Sequence, residues 1–136
     1  MAIALLSVGL LGLLVFILGL NVSMKRSSVV MTQGEAEADP GSELSRARRA
    51  HGNCVEYTPM LCFMILAIGL RMPILPWWVA AGMLAAVAFR YIHAVSILIS
   101  DSIYQTTPLK FIGALGTYIV GVGLSLFLIF RAFSLF

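Results

Sequence analysis

Residues 46–66 read RARRAHGNCVEYTPMLCFMIL, and the environment of this stretch decides the fold. It opens on Arg46, Arg48 and Arg49 and closes on apolar residues suited to a lipid bilayer. Between them stand His51, Asn53 and Glu56, polar groups that a membrane helix carries only when they face a bundle interior or a cavity. The rest of the chain supplies the environment. Its 136 residues are 60% apolar and 11% charged, with a mean hydropathy of +0.99. A soluble domain carries about 25% charged residues. The composition is that of an integral membrane protein built as one unit over residues 1–136. A formal charge of +3, spread along the chain, gives no footprint for nucleic acid.

Four apolar segments follow, with helices expected over roughly 2–22, 45–70, 77–99 and 111–133. A spanning helix needs ~20 mostly apolar residues, which the first, third and fourth supply directly. The second reaches that length once the arginine-rich run is included. The first has no basic leader and no small-x-small cleavage pattern, so it reads as a retained helix and not a signal peptide. The fold class is all-α, a bundle of four transmembrane helices.

The connections carry the turn chemistry. Residues 23–44 form the expected first loop, with Gly34, Pro40, Gly41 and four acids, and Ser42 is placed to cap the second helix. Pro73 and Pro76 stop that helix, and Trp77 and Trp78 suit the headgroup layer. Pro108 stands just before the fourth helix, where Gly113, Gly116, Gly121 and Gly123 suit close helix packing. Lys25, Arg26, Arg46, Arg48, Arg49 and Lys110 lie on one side of the membrane and Arg71 and Arg131 on the other. This bias of six to two puts the first and third loops in the cytoplasm and both termini outside.

At about 100° per residue, Arg46, Arg49, Asn53, Glu56, Met60 and Phe63 share one stripe of the second helix. His51, Thr58 and Cys62 fall on the opposite stripe, which gives His51 the reading of a helix-mouth residue bonded to a loop. On the third helix Arg90, His93, Ile97 and Asp101 recur at i, i+3, i+7 and i+11. Arg90 lies roughly 15 Å into the membrane, Glu56 about as deep on an antiparallel neighbour, and the two are expected to pair. Such a pair could be purely structural, fixing helix register. Asn53, His93 and the arginines at the helix mouth add more polar capacity to that face than one pair requires. Pro59 removes the hydrogen bond to the Val55 carbonyl and should kink the helix just beyond Glu56. Cys54 and Cys62 are about 12 Å apart along one helix, too far for a disulfide, and read as packing residues. The opposed register of His51 and His93 argues against haem, and no metal is expected.

With these residues in view a family resemblance emerges. RARRAHGNCVEYTP resembles the second-helix signature of the MAPEG proteins, the membrane-associated proteins in eicosanoid and glutathione metabolism. That signature is an Arg-Ala-His-x-Asn-x-x-Glu run followed by Pro, matched by Arg49, Ala50, His51, Asn53, Glu56 and Pro59. The helix count, the long first loop and RYIH in the third helix extend the similarity over the whole chain, and its short length resembles the bacterial branch, hence an inner membrane.

The resemblance implies a homotrimer with glutathione, as co-substrate, between subunits near the cytoplasmic side. It implies glutathione contacts from Arg49, Asn53, Glu56, Arg90 and His93, with Glu56 taking the amino group. It also marks departures. Ile97 stands where the family has tyrosine, Gly52 where it has a basic residue, and Met24, beside Lys25 and Arg26, at another basic position. Lys110 replaces the arginine that stabilises the thiolate. The implied activity is a glutathione transferase or peroxidase toward lipophilic electrophiles arriving through the lipid. A thiol of pKa about 8.5 is mostly protonated at neutral pH, so the activity needs a group that favours the thiolate. Lys110, Thr106, Thr107 and Tyr104 are the residues near the right place. Two alternatives remain: a non-catalytic member binding a lipid or partner, and a small four-helix exporter, against which the Asn53, Glu56, Arg90 and His93 set argues.

Overall fold

The computed structural model describes residues 1–29, 39–72 and 74–134. Within them the chain forms α1 (Ala2–Val29), α2 (Glu43–Arg71), α3 (Trp77–Leu98) and α4 (Pro108–Phe133), and no strand. All four helices are long and apolar enough to cross a membrane.

Local chemistry sets the helix ends, and three of them differ from expectation. α1 continues seven residues beyond Val22, so Lys25 and Arg26 lie on helix and not in a loop. No glycine or proline interrupts residues 23–29, methionine, lysine and arginine are good helix formers, and the basic residues complement the C-terminal end of the helix dipole. Lys25 pairs there with Glu43 at the start of α2. Ser42 caps α2 as expected, its hydroxyl accepting from the Ser45 N–H at 3.1 Å, which starts the helix at Glu43 instead of 45. α4 starts at Pro108, with Thr107 Oγ1 accepting from the Lys110 N–H at 3.2 Å. Proline has no N–H to lose in a first turn, so it sits inside the helix and not before it. α2 runs on through Pro59 and is closed by the Met72 N–H on the Ile68 carbonyl. Pro73 and the Gly34, Glu35 and Glu37 part of the first loop lie outside the described residues.

α1 packs along α2 and α3 along α4, with α2 and α3 joining the two pairs. In lipid there is little hydrophobic drive between helices, so close backbone approach does the work. A methyl group at Gly113 would sit 2.7 Å from the His93 backbone, and one at Gly116 would lie 2.3 Å from the Phe89 ring. These two glycines pack as expected. Gly123 has open space in front of it and Gly121 only a Leu61 methyl at 3.9 Å, so neither is an approach point within the chain. One apolar cluster holds Leu11, Leu61, Ile65, Met83 and Leu124. A second, nearer the loops, holds Leu14, Leu18, Ala50, Cys54, Ala94 and Ile97.

The two loops meet at one end of the bundle. The Ile103 N–H donates to the Pro40 carbonyl at 3.0 Å, and Arg46 Nη1 to the Ser100 carbonyl at 2.6 Å. Lys110 Nζ donates to the Ser102 and Gln105 carbonyls at 3.2 and 2.6 Å. Asp101 belongs to this loop and bonds Gln105, so the polar stripe expected on α3 ends at Ile97.

Candidate functional site

α2 has two faces. The inward one is small and apolar, with Ala47, Ala50, Cys54, Thr58, Leu61 and Ile65 buried. Cys54 and Cys62 are free thiols, and Cys54 Sγ lies 3.3 Å from Thr58 Oγ1. The outward face carries Arg49, Glu56, Met60 and Phe63, all exposed in the single chain, with Asn53 half-buried at its border.

Asn53 is where the outward stripe meets α3. Arg90, only 1% exposed, donates from Nη2 to the Asn53 side-chain oxygen at 2.9 Å and to its carbonyl at 3.1 Å. Its guanidinium lies 5.4 Å from the centre of the Tyr57 ring, a cation–π contact. Arg90 Nε has no hydrogen-bond partner among the described residues. The expected Glu56–Arg90 ion pair is therefore corrected: Arg90 is met by an amide, a carbonyl and an aromatic face. The helix turn explains it. From Asn53, Tyr57 is displaced by about 40° towards α3 and Glu56 by about 60° the other way.

Around Arg90 a cleft of about 190 Å³ is lined by Arg49, Asn53, Tyr57, Arg90, His93, Ala114, Thr117 and Tyr118. Four of the five residues singled out as glutathione contacts thus converge. Glu56 borders an adjoining groove of about 430 Å³ with Met60, Met64, Gly121 and Val122. Tyr57, Thr117 and Tyr118 line both spaces. The two tyrosine hydroxyls lie 2.9 Å apart, with the rings edge to face at 5.6 Å. This pair, linking α2 to α4, is a feature that sequence reasoning missed. Tyr57 stands in the quoted stretch, but Tyr118 is 61 residues away and only the fold brings it close.

The remaining residues fall outside the cleft. His51 lies against α1, with its Nε2 3.3 Å from where a methyl group at Gly19 would be. That replaces the expected bond to a loop. Ile97 is buried in the apolar cluster beside α1 and does not line the cleft. Gly52 has open space in front of it. Lys110 reaches the site through its main chain: its carbonyl lies 3.0 Å from His93 Nδ1, while its ammonium bonds the loop carbonyls. Tyr104 is exposed on that loop, and Thr107 is the α4 cap.

A buried cation, a cation at the mouth, an amide and an imidazole on one cleft can hold a small anionic, polar ligand. The model of the MAPEG family matches residues 4–130. No curated protein and no solved structure matches the chain.

Proposed function

This chain belongs to the MAPEG family, and on that premise we propose that it is a glutathione-dependent membrane transferase or peroxidase toward lipophilic electrophiles, working as a homotrimer. The observation that carries the reading is the convergence of Arg49, Asn53, Arg90 and His93 on one cleft. Arg49 and Arg90 answer the carboxylates of the tripeptide, and the Arg90 Nε–H is a donor that no described residue accepts from. Asn53, fixed by Arg90, supplies amide hydrogen bonding. The adjoining groove, lined by methionines and small residues, takes the apolar acceptor.

Trimer assembly is supported by the outward face of α2. Glu56 is exposed within a membrane-spanning helix, where a carboxylate facing acyl chains is expensive. A second copy packed on that face removes it from lipid and places a ligand's ammonium against it. The basic loop end faces the cytoplasm and both termini lie outside, following the charge bias.

A second reading, a binding protein without catalysis, is favoured by one observation. The Lys110 ammonium is occupied by two loop carbonyls and does not line the cleft. Calorimetry of glutathione on the detergent-purified protein tests the shared premise, with binding expected in the wild type and weakened in Asn53→Ala and Glu56→Gln. Absence of wild-type binding would sink both readings. Thiolate absorbance on mixing, with turnover of an aromatic electrophile, then separates the enzyme from the binder.

A further inference from the structure

A carbonyl oxygen has no proton to give. His93 Nδ1 lies 3.0 Å from the Lys110 carbonyl, so Nδ1 carries the hydrogen of that bond. In neutral imidazole the other nitrogen, Nε2, then keeps its lone pair. No described residue bonds His93 Nε2, and His93 lines the cleft. The carbonyl that imposes this tautomer is itself held. Lys110 lies in the first turn of α4, its N–H on the Thr107 cap and its ammonium on the Ser102 and Gln105 carbonyls. Gly113, one turn on, lets the α3 backbone at His93 come close enough for the bond.

We propose that His93 is the general base that deprotonates the bound thiol, held in its Nδ1–H form by the Lys110 main-chain carbonyl. The proposal rests on the thiol-binding reading above and supplies the activation that the Lys110 ammonium, tied to the loop, does not. The S–H bond breaks, its proton passes to Nε2, and the electron pair stays on sulfur. The imidazolium keeps its Nδ1–H on Lys110. The thiolate then forms a C–S bond with the electrophile. In a displacement the leaving group departs with its electron pair and the imidazolium returns its proton to water. In an addition the electron pair moves to the activated neighbouring atom, which takes the proton from Nε2.

The groups around His93 fit this division. Arg90 on α3 and Arg49 on α2 line the same cleft and offset the charge on sulfur. The Tyr57 and Tyr118 hydroxyls are bonded to each other. No described carboxylate lines this cleft, and Glu56 borders the adjoining groove, which leaves His93 as the base.

The test uses the full chain in nanodiscs. Nitrogen-15 spectra of histidine-labelled protein, assigned through His51→Asn and His93→Asn, should show neutral His93 with its hydrogen on Nδ1. A hydrogen on Nε2 overturns the proposal, whatever the variants do. In stopped-flow mixing with glutathione, His93→Asn can still donate to the Lys110 carbonyl through its amide but has no base. Its thiolate should form ~100-fold more slowly, within the range for general acid–base catalysis, while calorimetric affinity changes far less. Thiolate formation at the wild-type rate in His93→Asn overturns the base and leaves thiol binding intact. Failure of the wild type to bind glutathione overturns both.

Discussion

The region around Arg90 and the outward stripe of α2 carry comparable polarity and meet it in opposite ways. Arg90 is buried and its charge is met within the chain, by Asn53 and the Tyr57 face. Glu56 is exposed beside Met60 and Phe63, and no described residue bonds it. The inner region shows how one chain satisfies a charge in a membrane. The outer stripe carries a charge that no described residue of the chain meets. The same fold thus holds one charge as internal structure and leaves the other on an exposed helix face.

The sharpest way to break this contrast is at the close approach behind the inner region. Gly113→Ala places a methyl 2.7 Å from the His93 backbone, which cannot swing aside as a side chain can. A loss of about 3 kcal/mol in detergent unfolding is expected, at the upper end for overpacking. Gly123→Ala, with open space in front of it, is the outward control and should leave stability unchanged. Equal effects of the two would mean that α3 and α4 are not in contact there.

Next comes the charge itself. Arg90→Gln removes two charge-assisted hydrogen bonds to Asn53 and the contact with Tyr57, at a cost of about 2 kcal/mol. Combined with Glu56→Gln the effects should add to within about 0.5 kcal/mol, since the residues do not pair. A coupling above ~1 kcal/mol in the double-mutant cycle would restore the direct ion pair.

Lys110→Ala should cost about 1.5 kcal/mol by releasing the Ser102 and Gln105 carbonyls. It keeps the carbonyl on His93, so thiolate formation should fall less than in His93→Asn. The reverse order would return thiol activation to the ammonium. Of the charge substitutions, the smallest effect on folding is expected at Glu56→Gln, within about 0.5 kcal/mol for an exposed residue. Cross-linked trimer yield in membranes checks the same variant from the other side: an outward face used between copies should be weakened there although folding is not.

Much of this was legible in the order of residues. The four spans follow from lengths of apolar chain, and the Ser42 cap from a serine ahead of an amphipathic run. The facing of Asn53, Glu56 and Arg49 follows from helical period alone. Depth and charge say that Glu56 and Arg90 can meet, whereas the turn of α2 about Asn53 decides whether they do. The charged end of α1 reads as loop by hydropathy, although lysine and arginine continue a helix readily.

Composition and helical period are enough to mark a four-span membrane protein with a basic end and a polar stripe on its second helix. Those features depend on composition and period, which are local. The packing of the helices is what brings Tyr118 to Tyr57, turns Ile97 to the apolar cluster, and sets the Lys110 carbonyl on His93 while its ammonium holds a loop. Those contacts depend on the rotation and approach of α3 and α4. Two glycines without side chains set that approach, and no periodicity in either helix records which neighbour a glycine will meet.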